Sequence, residues 1–115
     1  MKTACIFTFK GDNGVCIAMK APAGHEKLVC YPPLFPKWSF LKRYLTDKDE
    51  VAYTKAYQEQ VLSKLDAAVV WGALKDSVLL CWEPAGHFCH RRLVADWVKR
   101  ELGHDVEEIS NVTAL

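Results

Sequence analysis

The chain has 115 residues, half of them hydrophobic and a quarter charged, a balance that suits one globular domain and excludes disorder along its whole length. Its formal net charge is +1; without the basic excess of proteins that grip many phosphates, nucleic acid is a disfavoured partner. No run approaches the roughly 18–20 apolar residues of a membrane helix, and Lys10 and Asp12 break the first apolar stretch before it reads as a signal peptide, so a cytoplasmic protein with no membrane partner is expected.

Two short apolar runs, Ala4–Phe9 and Val15–Met19, flank Lys10-Gly11-Asp12-Asn13-Gly14. Their β-branched and aromatic residues predict two strands, and the dense turn formers between them fit a tight, hairpin-like connection. Ala21-Pro22-Ala23-Gly24 is a loop, followed by an extended run at Leu28–Tyr31. Pro32-Pro33-Leu34-Phe35-Pro36 forbids helix and ladder alike and predicts a pinned loop. Trp38, Leu41 and Leu45 share one face of a short helix near residues 37–45. Asp47 with Glu50 makes a capping-box pattern for a longer helix to about Leu65, whose inward stripe carries Tyr53, Tyr57, Val61 and Leu65. Ala67–Leu74 fits one or two further helical turns.

Val78-Leu79-Leu80-Cys81-Trp82 has no polar alternation, as in a strand buried on both faces. Glu83-Pro84-Ala85-Gly86-His87 breaks it. Leu93, Val94, Trp97, Val98 and Leu102 then recur at helical spacing until Gly103 supplies a stop, and Val106–Ile109 fits a last strand. Strand, loop, helix and strand in that order predict an α/β fold: a small three-layer single domain with a mainly parallel sheet of about four or five short strands.

Five cysteines, Cys5, Cys16, Cys30, Cys81 and Cys89, sit mostly within apolar runs. The odd number and this setting favour reduced, buried thiols over a disulfide framework.

Function points to the segment from Cys81 to Arg91. In open α/β sheets, ligands lie beyond the carboxyl ends of the strands, and Glu83 occupies such an end. Cys89, His90 and Arg91 open the next helix, where free N–H groups favour an anion. Helical phase turns His90 and Arg91 inward with Leu93, Val94, Trp97 and Val98, and turns Arg92 outward to solvent. A catalytic set follows in which Arg91 pairs with an anion or with Glu83, Glu83 accepts a proton and His90 donates or shuttles one. The competing reading is a structural Glu83–Arg91 ion pair with His90 as a spacer. Tyr53 and Tyr57, one turn apart, fit the core or the wall of the same pocket. Cys81, Cys89 and His90, with Glu83 or His87, have the donor types of a zinc site, but their spacing matches no paired Cys-x₂₋₄-Cys arrangement and no metal is assigned. Cys89 as a nucleophile lacks the glycine-rich cradle and the later arginine of phosphatase-type loops.

The run Leu79-Leu80-Cys81-Trp82-Glu83, then Cys89-His90-Arg91, then Leu93-Val94-Ala95, resembles the signature of the bacterial and phage "domain of unknown function 488" family. Tyr53-x-x-x-Tyr57-x-x-x-Val61-Leu62-x-x-Leu65-Asp66, Leu102-Gly103 and Val106-x-Glu108 resemble it too. Many relatives carry a Ser-Arg pair where this chain has Met19-Lys20, so Lys20 keeps a positive charge at a ligand-binding position but lacks the bidentate fork. The resemblance implies a compact α/β fold and a shared site that includes Glu83, Cys89, His90 and Arg91. It names no substrate and no cofactor. The expected partner is a small anionic or nucleotide-like ligand. The alternatives are a protein-interaction module anchored by Phe35, Trp38 and the Pro32–Pro36 loop, and a zinc-stabilised structural domain.

Overall fold

A computed structural model describes residues 1–110 of the chain. In chain order its elements are β1 (Lys2–Cys5), β2 (Gly14–Cys16), β3 (Val29–Cys30), α1 (Trp38–Asp47), α2 (Glu50–Gln60), α3 (Ala67–Leu74), β4 (Val78–Cys81), α4 (His90–Leu102) and β5 (Glu107–Ile109). The strands form one five-stranded sheet in the order β3-β2-β4-β1-β5, and every pairing is parallel.

The wholly apolar β4 dictates the centre of this sheet. All four of its residues are buried, which requires a neighbour on each side and cover on each face. It therefore inserts between the first two strands: Leu80 stands opposite Ala4 of β1 and opposite Cys16 of β2. The hairpin-like connection expected at Lys10–Gly14 is thereby corrected, because β1 and β2 are parallel and share no ladder.

Alternation then divides the residues between two faces. Val15 and Leu79, opposite each other in register, belong to the larger core with Leu34, Phe40, Tyr57, Val70, Leu74, Val94 and Val98 of the helical layer. Ala4, Cys16, Val78 and Leu80 lie in a second apolar cluster, against which Phe9, Ala21 and Leu28 of the connecting loops pack. The layers are thus helices, sheet and loops.

Local signals fix the helix ends. Asp49, rather than Asp47, caps α2: its carboxylate accepts from the Ala52 N–H at 3.0 Å. Asp47 instead ends α1 and accepts from the Asp49 N–H at 2.9 Å. The second helix stops at Gln60 and a 3₁₀ turn, Leu62–Lys64, replaces its expected last turn. Asp66 caps α3 through the N–H groups of Ala68 and Val69. Gly103, at φ +75°, closes α4 in the left-handed conformation that glycine adopts most readily. Among the described residues, no helix is long and apolar enough to cross a membrane.

Candidate functional site

Parallel pairing puts the carboxyl ends of all five strands at one edge. From there β2 sends the chain outward to β3, whereas its neighbour β4 sends it through α4, past β1, to β5. Neighbouring strands whose connections leave in opposite directions open a crevice between their ends, the switch point at which open α/β sheets hold ligands. A cavity of about 550 Å³ occupies that position. Ala18, Met19 and Lys20 line it after β2, and Cys81, Trp82 and Glu83 line it after β4. Trp82 ties the two loops together, its indole Nε1–H donating to the Lys20 carbonyl at 2.9 Å.

The helical wall is aromatic. Trp38 and Tyr44 of α1, Tyr53 of α2, and Phe88 face the cavity; the Phe88 ring lies 5.3 Å from that of Tyr44 and 5.5 Å from that of Tyr53. Burial, with the nearby negative charge of Glu83, pushes the Tyr53 hydroxyl well above its ordinary range, so it stays a neutral donor. Tyr57 stands behind this wall, fully buried, with its hydroxyl donating to the Leu34 carbonyl at 2.7 Å and its ring 5.5 Å from His90. Of the two tyrosines, Tyr53 lines the cavity and Tyr57 braces it.

Cys89 and His90 form the floor. Cys89 is the N-cap position of α4, no side chain caps the helix there, and its first turn carries no acidic residue. The N-terminus of α4 therefore borders the cavity with its dipole uncompensated. The His90 Nε2 lies 2.8 Å from the Ile17 carbonyl. A carbonyl oxygen only accepts, so Nε2 carries the proton and Nδ1 keeps its lone pair. Burial foremost, with the Arg91 charge beside it, lowers the His90 pKa to about 4. The ring is neutral at physiological pH and leaves the Nδ1 lone pair toward the Cys89 sulfur, 3.9 Å away.

Arg91 does not converge with Glu83. Its side chain is 0 % exposed, against 17 % for its partner Glu108. Nε and Nη2 donate to the two Glu108 carboxylate oxygens at 3.0 and 2.7 Å, and Nη1 reaches the Cys81 Sγ at 3.1 Å. Glu108 also accepts from the Thr3 hydroxyl. Burial pushes its carboxyl up, but the bonds from Arg91 and Thr3 and the charges of Arg91 and Arg92 outweigh this and hold it below the ordinary range. Arg92 is turned in as well: Nη1 donates to the Thr3 hydroxyl and the Val106 carbonyl at 2.8 and 2.9 Å. "Inward" on α4 thus comprises two directions. One residue, His90, looks into the cavity; the next looks along the sheet toward β5.

Two cysteines also depart from expectation. Cys81 and Cys89 are joined as a disulfide across the loop between β4 and α4, while Cys5, Cys16 and Cys30 are free. The expectation of reduced thiols came from apolar neighbours along the chain, which do not report that a strand end and a helix start face each other. Glu108 was missed too. The available signal was parity: Glu108 lies two residues beyond the buried Val106, so on a strand it shares that face and can meet a buried guanidinium.

A parallel α/β domain with an apolar cavity at its switch point, a Cys-x-Glu strand end and a Cys-His-Arg helix start is the class of protein these features define. The chain belongs to the DUF488 family: the family model DUF488-N3a, described as the active DUF488-N3 subclade, matches residues 13–102. No curated protein and no solved structure matches the chain. The matched stretch runs from just before β2 to the end of α4 and so contains every residue that lines the cavity; Glu108 lies outside it.

Proposed function

We propose that the protein binds a small ligand with a flat apolar body and an anionic, phosphate-like head in the cavity between β2 and β4. The observation that supports this is the cavity itself, whose volume falls in the range of roughly 300–1,000 Å³ usual for ligand pockets. Trp38, Tyr44 and Phe88 offer ring faces to a nucleobase-like body. Lys20 at the rim and the uncapped start of α4 offer a cation and N–H donors to the head. Glu83, the carboxylate among the lining residues, serves as the acid–base group, and His90 Nδ1 as an acceptor. Cys89 and Tyr53 contact the ligand, Tyr57 braces the wall, and Arg91 acts by positioning Cys81.

Trp38 and Trp82 both line the cavity, so intrinsic fluorescence reads its occupancy. Titration with nucleoside monophosphates, the matching nucleosides and inorganic phosphate tests both parts of the ligand. A nucleotide is expected to bind about 10-fold or more tightly than its nucleoside, the range of a charge-assisted hydrogen bond, with Lys20→Ala removing most of that difference. Equal binding of nucleotide and nucleoside would refute the anionic head, and no binding by folded protein would refute the ligand. In the latter case the exposed rim residues Met19, Trp38, Leu45 and Trp82 point instead to a partner protein.

A further inference from the structure

The cavity floor holds a cluster of three side chains with metal-ligating atoms. One ligand atom each from Cys81, Cys89 and His90 lies within 4.8 Å of the others, and all three residues are buried. We propose that, with the Cys81–Cys89 disulfide reduced, these groups bind one thiophilic divalent metal ion, zinc foremost, whose fourth position opens into the cavity.

The His90 ring is already set for this. Nε2–H is committed to the Ile17 carbonyl at 2.8 Å, while Nδ1 faces the Cys89 sulfur at 3.9 Å. A metal-ligating histidine almost always donates its other ring N–H to such an acceptor, which fixes both tautomer and orientation. The backbone spacing agrees. The Cα atoms of Cys81 and Cys89 are 7.5 Å apart, wider than the 4.4–6.8 Å that disulfides usually span. Two thiolates on one zinc, at about 2.3 Å each and a tetrahedral angle, stand roughly 3.8 Å apart; rotation of the freed side chains supplies that separation. Arg91 Nη1, 3.1 Å from the Cys81 Sγ, favours the thiolate that a metal requires.

The donor set also limits the kind of site. Structural zinc sites close all four positions with protein ligands, whereas three protein ligands with one open position is the catalytic arrangement. Here the open position faces a cavity that Glu83 also lines, beside which a metal-bound water would have a base at hand. The chemistry balances. A dithiol reductant gives up two hydrogens and closes to its own disulfide as Cys81–Cys89 opens to two thiols, and metal binding then releases two protons. Disulfide and metal are mutually exclusive, so oxidation releases the ion.

This inference concerns the same cavity as the proposed ligand but does not rest on it, and metal alone tests it. Wild-type protein is reduced, exchanged into oxygen-free buffer, checked for five free thiols and for unchanged circular dichroism, and titrated with Co²⁺. The expected result is the visible spectrum of tetrahedral cobalt with a thiolate-to-metal charge-transfer band, saturating at one equivalent and displaced by Zn²⁺. The disulfide form should give neither band. His90→Gln should weaken binding about 100-fold or more, since even the residues behind a ligand contribute about 10–100-fold. Absence of the tetrahedral spectrum in reduced, folded wild-type protein overturns the proposal. So does a spectrum that persists in Cys81→Ala/Cys89→Ala, which would assign the metal to Cys5, Cys16 or Cys30. A negative cobalt result leaves nucleotide binding unaffected, and the reverse holds as well.

Discussion

Replacing Glu108 by glutamine keeps its volume and removes the carboxylate charge that faces the buried Arg91 guanidinium. Two bonds at 3.0 and 2.7 Å hold the pair. Glutamine accepts with its carbonyl alone and turns an NH₂ group, a donor, toward the second guanidinium N–H. Arg91 is sealed from solvent, so water cannot take the place of the lost acceptor. Removing one partner of such a pair costs about 3–5 kcal/mol. The partial exposure of Glu108 and the one bond that survives reduce this to about 2–4 kcal/mol. Against a total stability of about 5–15 kcal/mol for a domain, that is a large fraction, and it corresponds to a fall in Tm of about 8–16 °C. Urea unfolding followed by circular dichroism at pH 7 measures it, with Glu107→Gln as control. Glu107 is exposed on the same strand and its substitution should stay within about 0.5 kcal/mol. A loss below about 1 kcal/mol for Glu108→Gln, indistinguishable from that control, would refute the assignment of Arg91 as a structural anchor.

Two further outcomes follow from burial. His90 has a folded pKa of about 4 against about 6.5 unfolded, so between these values only the unfolded chain takes up the proton. Its contribution is complete above pH 6.5 and is lost as the pH falls toward 4, about 3 kcal/mol in all; urea midpoints from pH 7.5 to 4.5 should fall more steeply for wild type than for His90→Gln, and parallel curves would contradict the buried, neutral ring. Gly14→Ala would place a Cβ 2.6 Å from the Leu80 Cδ1 and 3.2 Å from the Phe9 ring. Overpacking at the sheet centre should cost about 1–3 kcal/mol in thermal unfolding, whereas an unchanged Tm would show that Leu80 and Phe9 yield freely.

Some of the fold was legible because its physics is local. The unbroken apolar run at β4 announced a strand buried on both faces, Gly103 announced the end of α4, and strand–loop–helix–strand order announced parallel pairing. The β1–β2 connection misled for the opposite reason. Turn formers at Lys10–Gly14 report a tight change of direction but not which strand lies alongside, and only the need of β4 for two neighbours separates β1 from β2. The α2 cap shows the same limit at shorter range. Asp47 and Asp49 both stand before the helix, and the left-handed Lys48 between them decides that Asp47 closes α1 while Asp49 opens α2.

The sequence brought Glu83, Cys89 and His90 to one strand end, where they line a cavity, but the directions in which the helix start divides were not legible. Cys89, His90 and Arg91 are consecutive, and successive helical side chains diverge by about 100°, so three neighbours cannot share one target. Phase with Val94 and Val98 established that Arg91 is buried; it did not establish that burial and the cavity lie in the same direction. At the start of α4, one turn meets both the strand-end crevice and the flank of the sheet. His90 takes the first and Arg91 the second, where Glu108, itself held by the Thr3 hydroxyl, pairs with it. The two are still linked, because Arg91 Nη1 reaches across to the Cys81 sulfur on the cavity floor. A guanidinium that reading along the chain assigns to a ligand is, in three dimensions, the bolt that fastens β5 to α4 and holds the Cys81 sulfur. The position of that sulfur on the cavity floor thus depends on a carboxylate at the far edge of the sheet.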